Sequence, residues 1–154
     1  MILLLSVIVI FPTCTSKTAT DLTNQEKQNI TDGIMDLTTN WANTNNNMDA
    51  DKAIQFWDSS SELMYAENGE FFPNRDSIYS FLKSFYQTTT SMQVKWEHRV
   101  VIPLSISAAS MSGYFHAKAL FKSGDKFEVN SMFTGVFIKK NNNWVLIQGH
   151  ESYK

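Results

Sequence analysis

His98, His116 and His150 are the three histidines of a 154-residue chain, and all three fall in strand-like segments. A histidine, or a carboxylate whose pKa burial raises, can move protons near neutral pH inside an apolar site. Strict alternation puts His98 on one face with Trp96 and Val100, a face expected to be covered. It puts His150 with Leu146, Gln148 and Ser152, and His116 with Tyr114 and Lys118, which reads as wetter. Glu151 is adjacent to His150, so its side chain points to the opposite face and the two form no dyad in one pocket. Asp58 ends the second helix and could point into a pocket mouth, although a helix C-terminus disfavours an anion. The bland alternative for His98 and His150 is a core imidazole bonded to backbone or to Ser152.

Other chemistries find less support. No His, Asp or Glu spacing makes a metal site, no glycine-rich loop cradles a phosphate, and no cofactor is expected. Lys95, Glu97 and Arg99 read as a solvated strand face. Cys14 is the only cysteine, so neither an intrachain disulfide nor a cysteine-based zinc site can form. The formal net charge of −2 comes without a basic patch, so nucleic acid is not an expected partner.

Cys14 closes the uncharged apolar run from Met1 to Phe11, followed by Pro12 and Thr13. The run is shorter than the about 20 residues that span a bilayer, and has the length of a signal-peptide core. With small polar residues after it, Cys14 resembles the lipid-attachment site of a bacterial lipoprotein. Two features depart from that pattern: Pro12-Thr13 is a loose approach to the cysteine, and no Lys or Arg precedes the run. The expectation is an exported, periplasmic or cell-surface protein that meets the membrane only through a lipid anchor. Residues 1–14 are then leader, 15–22 tether and 23–154 one domain.

The domain has the apolar content for a core: 43% hydrophobic and 13% aromatic residues exclude a disordered chain. Thr23-Asn24-Gln25-Glu26 has capping-box spacing. Ile30, Ile34, Leu37 and Trp41 then recur on one helical face, with a stop expected in Asn43 to Asn47. Asp49 caps a short second helix carrying Ala53, Phe56 and Trp57. Leu63 to Phe72 reads as a hairpin turning at Asn68-Gly69. Ile78, Phe81, Leu82 and Phe85 mark a third helix. After Ser91 everything is strand-like, with turns at Ser123-Gly124-Asp125 and Asn141 to Asn143. Helices segregated from meandering strands predict an α+β domain, with three N-terminal helices packed on a curved antiparallel sheet. Phe127, Val129, Phe133 and Phe137 share one face of the third long strand, while Met132, Val136 and Ile138 share the other. A sheet apolar on both faces predicts a second cover, most simply a homodimer.

Three patterns carry a resemblance. They are Trp41-Ala42 followed by Asp49 to Asp58, Glu67-Asn68-Gly69-Glu70 before Arg75 to Ile78, and the run from Lys139 to Ser152 with its His150-Glu151-Ser152 end. The chain over about residues 24 to 152 resembles the nuclear transport factor 2-like superfamily, the cone-shaped, cystatin-like roll of ketosteroid isomerase and SnoaL-like proteins. That resemblance implies an apolar pocket between the helices and the concave sheet face, with Trp41, Trp57, Tyr65, Phe85, Trp96 and Phe115 as wall candidates. It places the isomerase general base at Ala66, which cannot serve, and Glu67 beside it is expected at the solvated turn edge. His98, His150 and Tyr65 are then the groups expected to orient a ligand. The leading expectation is an exported pocket protein for a small apolar or aromatic molecule. The alternatives are an isomerase- or dehydratase-like enzyme using a pocket histidine or Asp58 beside a carbonyl, and an assembly domain whose pocket its own side chains fill.

Overall fold

The computed structural model describes residues 18–153. The leader and Cys14 lie outside the described residues. Among the described residues no helix is long and apolar enough to cross a membrane.

The first helix, α1 (Asn24–Asn46), starts where the capping box predicts. The Thr23 side chain accepts from the Glu26 backbone N–H, and the Glu26 carboxylate accepts from the Thr23 N–H. It buries Ile30, Ile34, Thr38, Ala42 and Asn45, so Leu37 and Trp41 flank the buried stripe as partly buried residues. Asp49 caps α2 (Ala50–Ala53), which runs into a 3-10 turn, Ile54–Phe56. The predicted hairpin is present as β1 (Met64–Glu67) and β2 (Glu70–Phe72). Asn68 and Gly69 turn it with φ of 46° and 91°, left-handed angles that Asn and Gly tolerate best. Asn74 caps α3 (Arg75–Thr88), whose buried residues are Ile78, Leu82 and Tyr86. The four long strands are β3 (Thr89–Ser105), β4 (Ala108–Phe121), β5 (Lys126–Lys140) and β6 (Asn143–Tyr153).

All six strands form one sheet in the order β2-β1-β6-β5-β4-β3. The four long strands pair antiparallel in sequence order, as a meander does. The hairpin joins them at the far edge by a parallel pairing of β1 with β6, a contact between residues more than 80 positions apart. The helices cover the inner face, and the odd-numbered residues Phe133 and Phe137 of β5 are buried there while Met132 is 60% exposed outside. The described end of the expected tether is docked: Leu22 is buried in the core and Thr18 bridges to Ser105.

Two irregularities re-aim the histidines. The β3–β4 register skips Glu97, between Trp96 and His98. The β5–β6 register skips Ile147, between Leu146 and Gln148. An extra residue in a strand inverts which face every later residue takes. Trp96 therefore points inward and His98 outward, so the shared face expected for them does not exist. Val100 is likewise outside, 48% exposed, while Arg99 turns in and donates to the Met35 carbonyl of α1 at 2.9 Å. In the same way Leu146 is buried but Gln148 and His150 are exposed, and Glu151 is brought inside.

Ile34 is fully buried between α1 and the sheet. Ile34→Ala is expected to cost about 2–5 kcal/mol in urea unfolding, the range for an aliphatic core truncation. Ile106→Ala, at an exposed position, should stay within about 0.5 kcal/mol.

Candidate functional site

The helices stand off the outer part of the concave sheet face and leave a cavity of about 310 Å³. Its walls are mainly rings, among them Trp41, Trp57, Phe72, Phe85, Phe115 and Phe127. Their contacts are edge-on or tilted, as between Trp41 and Phe115 with centroids 5.4 Å apart, the arrangement that ring quadrupoles favour.

Two carboxyl groups line this apolar space. The parallel register sets Glu67 of β1 directly beside Glu151 of β6, and Tyr65 beside Gly149. Both acids and Tyr65 face the cavity. Gly149 leaves the room Tyr65 takes, since a Cβ there would lie 3.1 Å from the ring. The Tyr65 hydroxyl donates to Glu151 Oε2 at 3.0 Å, with Glu67 Oε2 at 3.4 Å. Ser131 Oγ, fully buried on β5, donates to Glu151 Oε1 at 2.8 Å.

Burial and then the neighbouring Glu151 charge push the Glu67 carboxyl up to about 8, against the Tyr65 hydrogen bond that favours its ionised form. Burial also raises Glu151, outweighing the hydrogen bonds from Ser131 and Tyr65. Tyr65 is pushed well up by burial and by both carboxylates, so it stays protonated and donates. Two adjacent acids in such a medium titrate together and do not both ionise readily near neutral pH.

Further polar groups complete the lining. Tyr86 of α3 donates to Asn45 Oδ1 at 2.7 Å, and Asn45 in turn donates to the Trp41 carbonyl at 2.7 Å. The indole N–H groups of Trp41 and Trp57 are buried with no hydrogen-bond partner among the described residues. A buried donor left without an acceptor costs about 1–3 kcal/mol.

Of the sequence candidates, Trp41, Trp57, Tyr65, Phe85 and Phe115 line the cavity. Trp96 stands behind the wall, 4.9 Å from Phe115, with its N–H donated to the Thr38 carbonyl. His98 and His150 are on the outer sheet face, for the register reasons above, and neither lines the cavity. His116 is outside too, 3.1 Å from Glu128. Asp58 is buried but elsewhere, accepting from Lys140 Nζ at 2.8 Å and from both the backbone N–H and the hydroxyl of Ser60. Burial pushes its carboxyl up, but those hydrogen bonds outweigh it and hold the group below its ordinary value. Asp58 is thus a structural ion pair and does not line the cavity. Glu67, expected in solvent, is half-buried in it instead, and Ala66 faces away from Tyr65 and Glu67. Glu151 escapes a reading by strict alternation, which carries Leu146 inward together with His150. Tyr65 and Glu67, two apart on one hairpin strand, are the signal that could have found the wall. Among the described residues no group of three His, Cys, Asp or Glu could hold a metal.

A family profile described as "SnoaL-like domain" matches residues 34–154. The chain belongs to the SnoaL-like domain family. Solved structures agree with this SnoaL-like domain in fold. A nuclear transport factor 2-like protein of unknown function from Shewanella oneidensis MR-1 is 24% identical, with TM-score 0.65 over 80% of this chain and 98% of that one. A putative scytalone dehydratase from Novosphingobium aromaticivorans is 7% identical, with TM-score 0.79 over 86% and 89%. A hexachlorocyclohexane dehydrochlorinase is 7% identical, with TM-score 0.74 over 86% and 90%. No curated protein matches this SnoaL-like domain in sequence.

The raised Glu67 carboxyl has a consequence for stability. An acid whose folded pKa lies above its unfolded value, here about 8 against 4.5, stabilises the fold fully below the unfolded value. That contribution is lost as pH rises toward the folded value. Urea unfolding should therefore show stability falling between pH 5 and pH 8, with a slope of up to about 1.36 kcal/mol per pH unit, the value for one proton. Glu67→Gln, which imitates the protonated acid, should flatten that fall and be the more stable form at pH 8.

Proposed function

We propose that this SnoaL-like domain binds a small, largely apolar molecule in the cavity, with the molecule's polar end against Glu67, Glu151 and Tyr65. The observation that carries the reading is the placing of two carboxyls and a tyrosine hydroxyl on one wall of an otherwise aromatic cavity. Concave apolar space with a few polar groups is the usual form of a ligand site. The cavity is about 310 Å³ and is not filled by the protein's own side chains, which favours binding over a purely architectural role.

Catalysis is the second reading, and Glu67 is what favours it. A carboxyl held near 8 can both accept and donate a proton close to neutral pH. The chemistry would be removal of a proton beside a carbonyl, with Tyr65 donating to the developing oxyanion. Neighbours of the same fold described as a dehydratase and a dehydrochlorinase support that reading by analogy alone.

We also propose a homodimer through the outer sheet face. Val100, Ile102, Tyr114 and Met132 are 43–60% exposed there, and Tyr114 and Met132 sit directly opposite one another on β4 and β5. Contiguous exposed apolar side chains of this kind mark an interaction surface. Sedimentation should give a dimer that Met132→Lys converts to monomer, and a monomer in the parent protein would overturn this.

Binding itself is tested by screening single-ring and terpenoid-sized molecules for a rise in melting temperature and for a change in tryptophan fluorescence. A ligand at about 100 times its dissociation constant should stabilise by ~2.7 kcal/mol, a shift of roughly 8–9 °C. Ala117 lines the cavity, so Ala117→Phe should fill it and abolish every such shift while the variant stays folded by circular dichroism. Shifts that persist in Ala117→Phe would place the ligand elsewhere.

A further inference from the structure

The cavity is chemically one-sided. Its two carboxyls have no cationic counterpart, since among the described residues no Lys, Arg or His lines the space. The titratable groups packed around the pair are Tyr65 on β1, Glu70 on β2 and Tyr153 on β6, while α3 brings only the Tyr86 hydroxyl to the cavity. Every one of them is acidic or phenolic. The remaining wall is mostly ring faces and edges, and an aromatic face attracts a positive charge. An anion entering this space would meet like charge and no donor cation, whereas an ammonium would meet two carboxyls and several rings.

The volume of about 310 Å³ stands at the small end for ligand sites, which suits a single-ring molecule.

We infer that the cavity selects a small organic cation: a protonated amine on a single-ring or similarly sized apolar body. The ammonium sits against Glu67 and Glu151. This rests on the reading that the cavity is a ligand site. It has a proton balance of its own. The amine enters already protonated, and the proton shared by the carboxyl pair leaves to solvent as the pair ionises to meet it. No bond to carbon is made or broken.

The test is isothermal titration of the purified protein at pH 7 with three matched probes: 2-(4-methoxyphenyl)ethylamine, 2-(4-methoxyphenyl)ethanol and 4-methoxyphenylacetate. The amine is expected to bind at least about tenfold more tightly than the alcohol, and the carboxylate not to bind. Titration in two buffers of different ionisation enthalpy should show release of about one proton with the amine and none with the alcohol. Glu67→Gln and Glu151→Gln should each lower the amine-to-alcohol affinity ratio to about one and abolish the proton release. If either glutamine variant fails to fold by circular dichroism, the parent protein's amine-to-alcohol ratio and proton release decide the question. An alcohol that binds as well as the amine overturns the cation inference and leaves the cavity as a binding site. Binding of none of the three overturns both readings for ligands of this size.

Discussion

Four residues of β1 lie parallel to β6, and the chemistry of the cavity depends on that pairing. Backbone hydrogen bonds set its register, and the register sets Glu67 against Glu151 and Tyr65 against Gly149. Two acids are brought together by main-chain geometry, at a cost that their own side chains would otherwise resist. The cost is met locally. Tyr65 and Ser131 donate to Glu151, and burial raises both carboxyls so that the pair does not readily ionise fully near neutral pH. A parallel pair needs a long crossover connection, and here α3 and the whole β3–β5 meander supply it.

The rest of the fold gives this wall its apolar surroundings. Rings from α1, α3 and β4 pack edge-on or tilted around the cavity. The low dielectric that results is what raises the carboxyls and Tyr65 together. Asp58 shows the contrast. It is as buried as Glu151, yet Lys140 pairs with it, Ser60 donates to it, and its carboxyl is held below its ordinary value. Burial raises a carboxyl where no such partners offset it.

The two skipped residues, Glu97 and Ile147, decide which side chains face the cavity side of the sheet. Each is a single extra residue in a long strand, and each sends a histidine to the outer surface. The second also carries Glu151 in. The polar groups expected to face the cavity, His98 and His150, lie outside it, and a carboxyl pair lines it instead, with no change in strand assignments and only a change of parity.

The elements and their order are written in the chain. The Thr23 to Glu26 capping box, the Asp49 cap, the Asn68-Gly69 turn and the alternation along β4 and β5 are local signals, readable because each depends on residues only a few positions apart. They suffice for the α+β class, for the SnoaL-like resemblance and for the aromatic residues Trp41, Trp57, Tyr65, Phe85 and Phe115, which do line the cavity. The site's polar wall comes from packing across the sheet. No local pattern says that β1 will lie beside β6, because that contact joins residues more than 80 positions apart and is settled by the packing of the whole sheet. Nor does local pattern reveal a bulge, since the skipped residue is identified only by what its partner strand offers. Facing and partnership are properties of pairs of strands, which is why the helices and turns were legible in the chain and the Glu67–Glu151 pair was not.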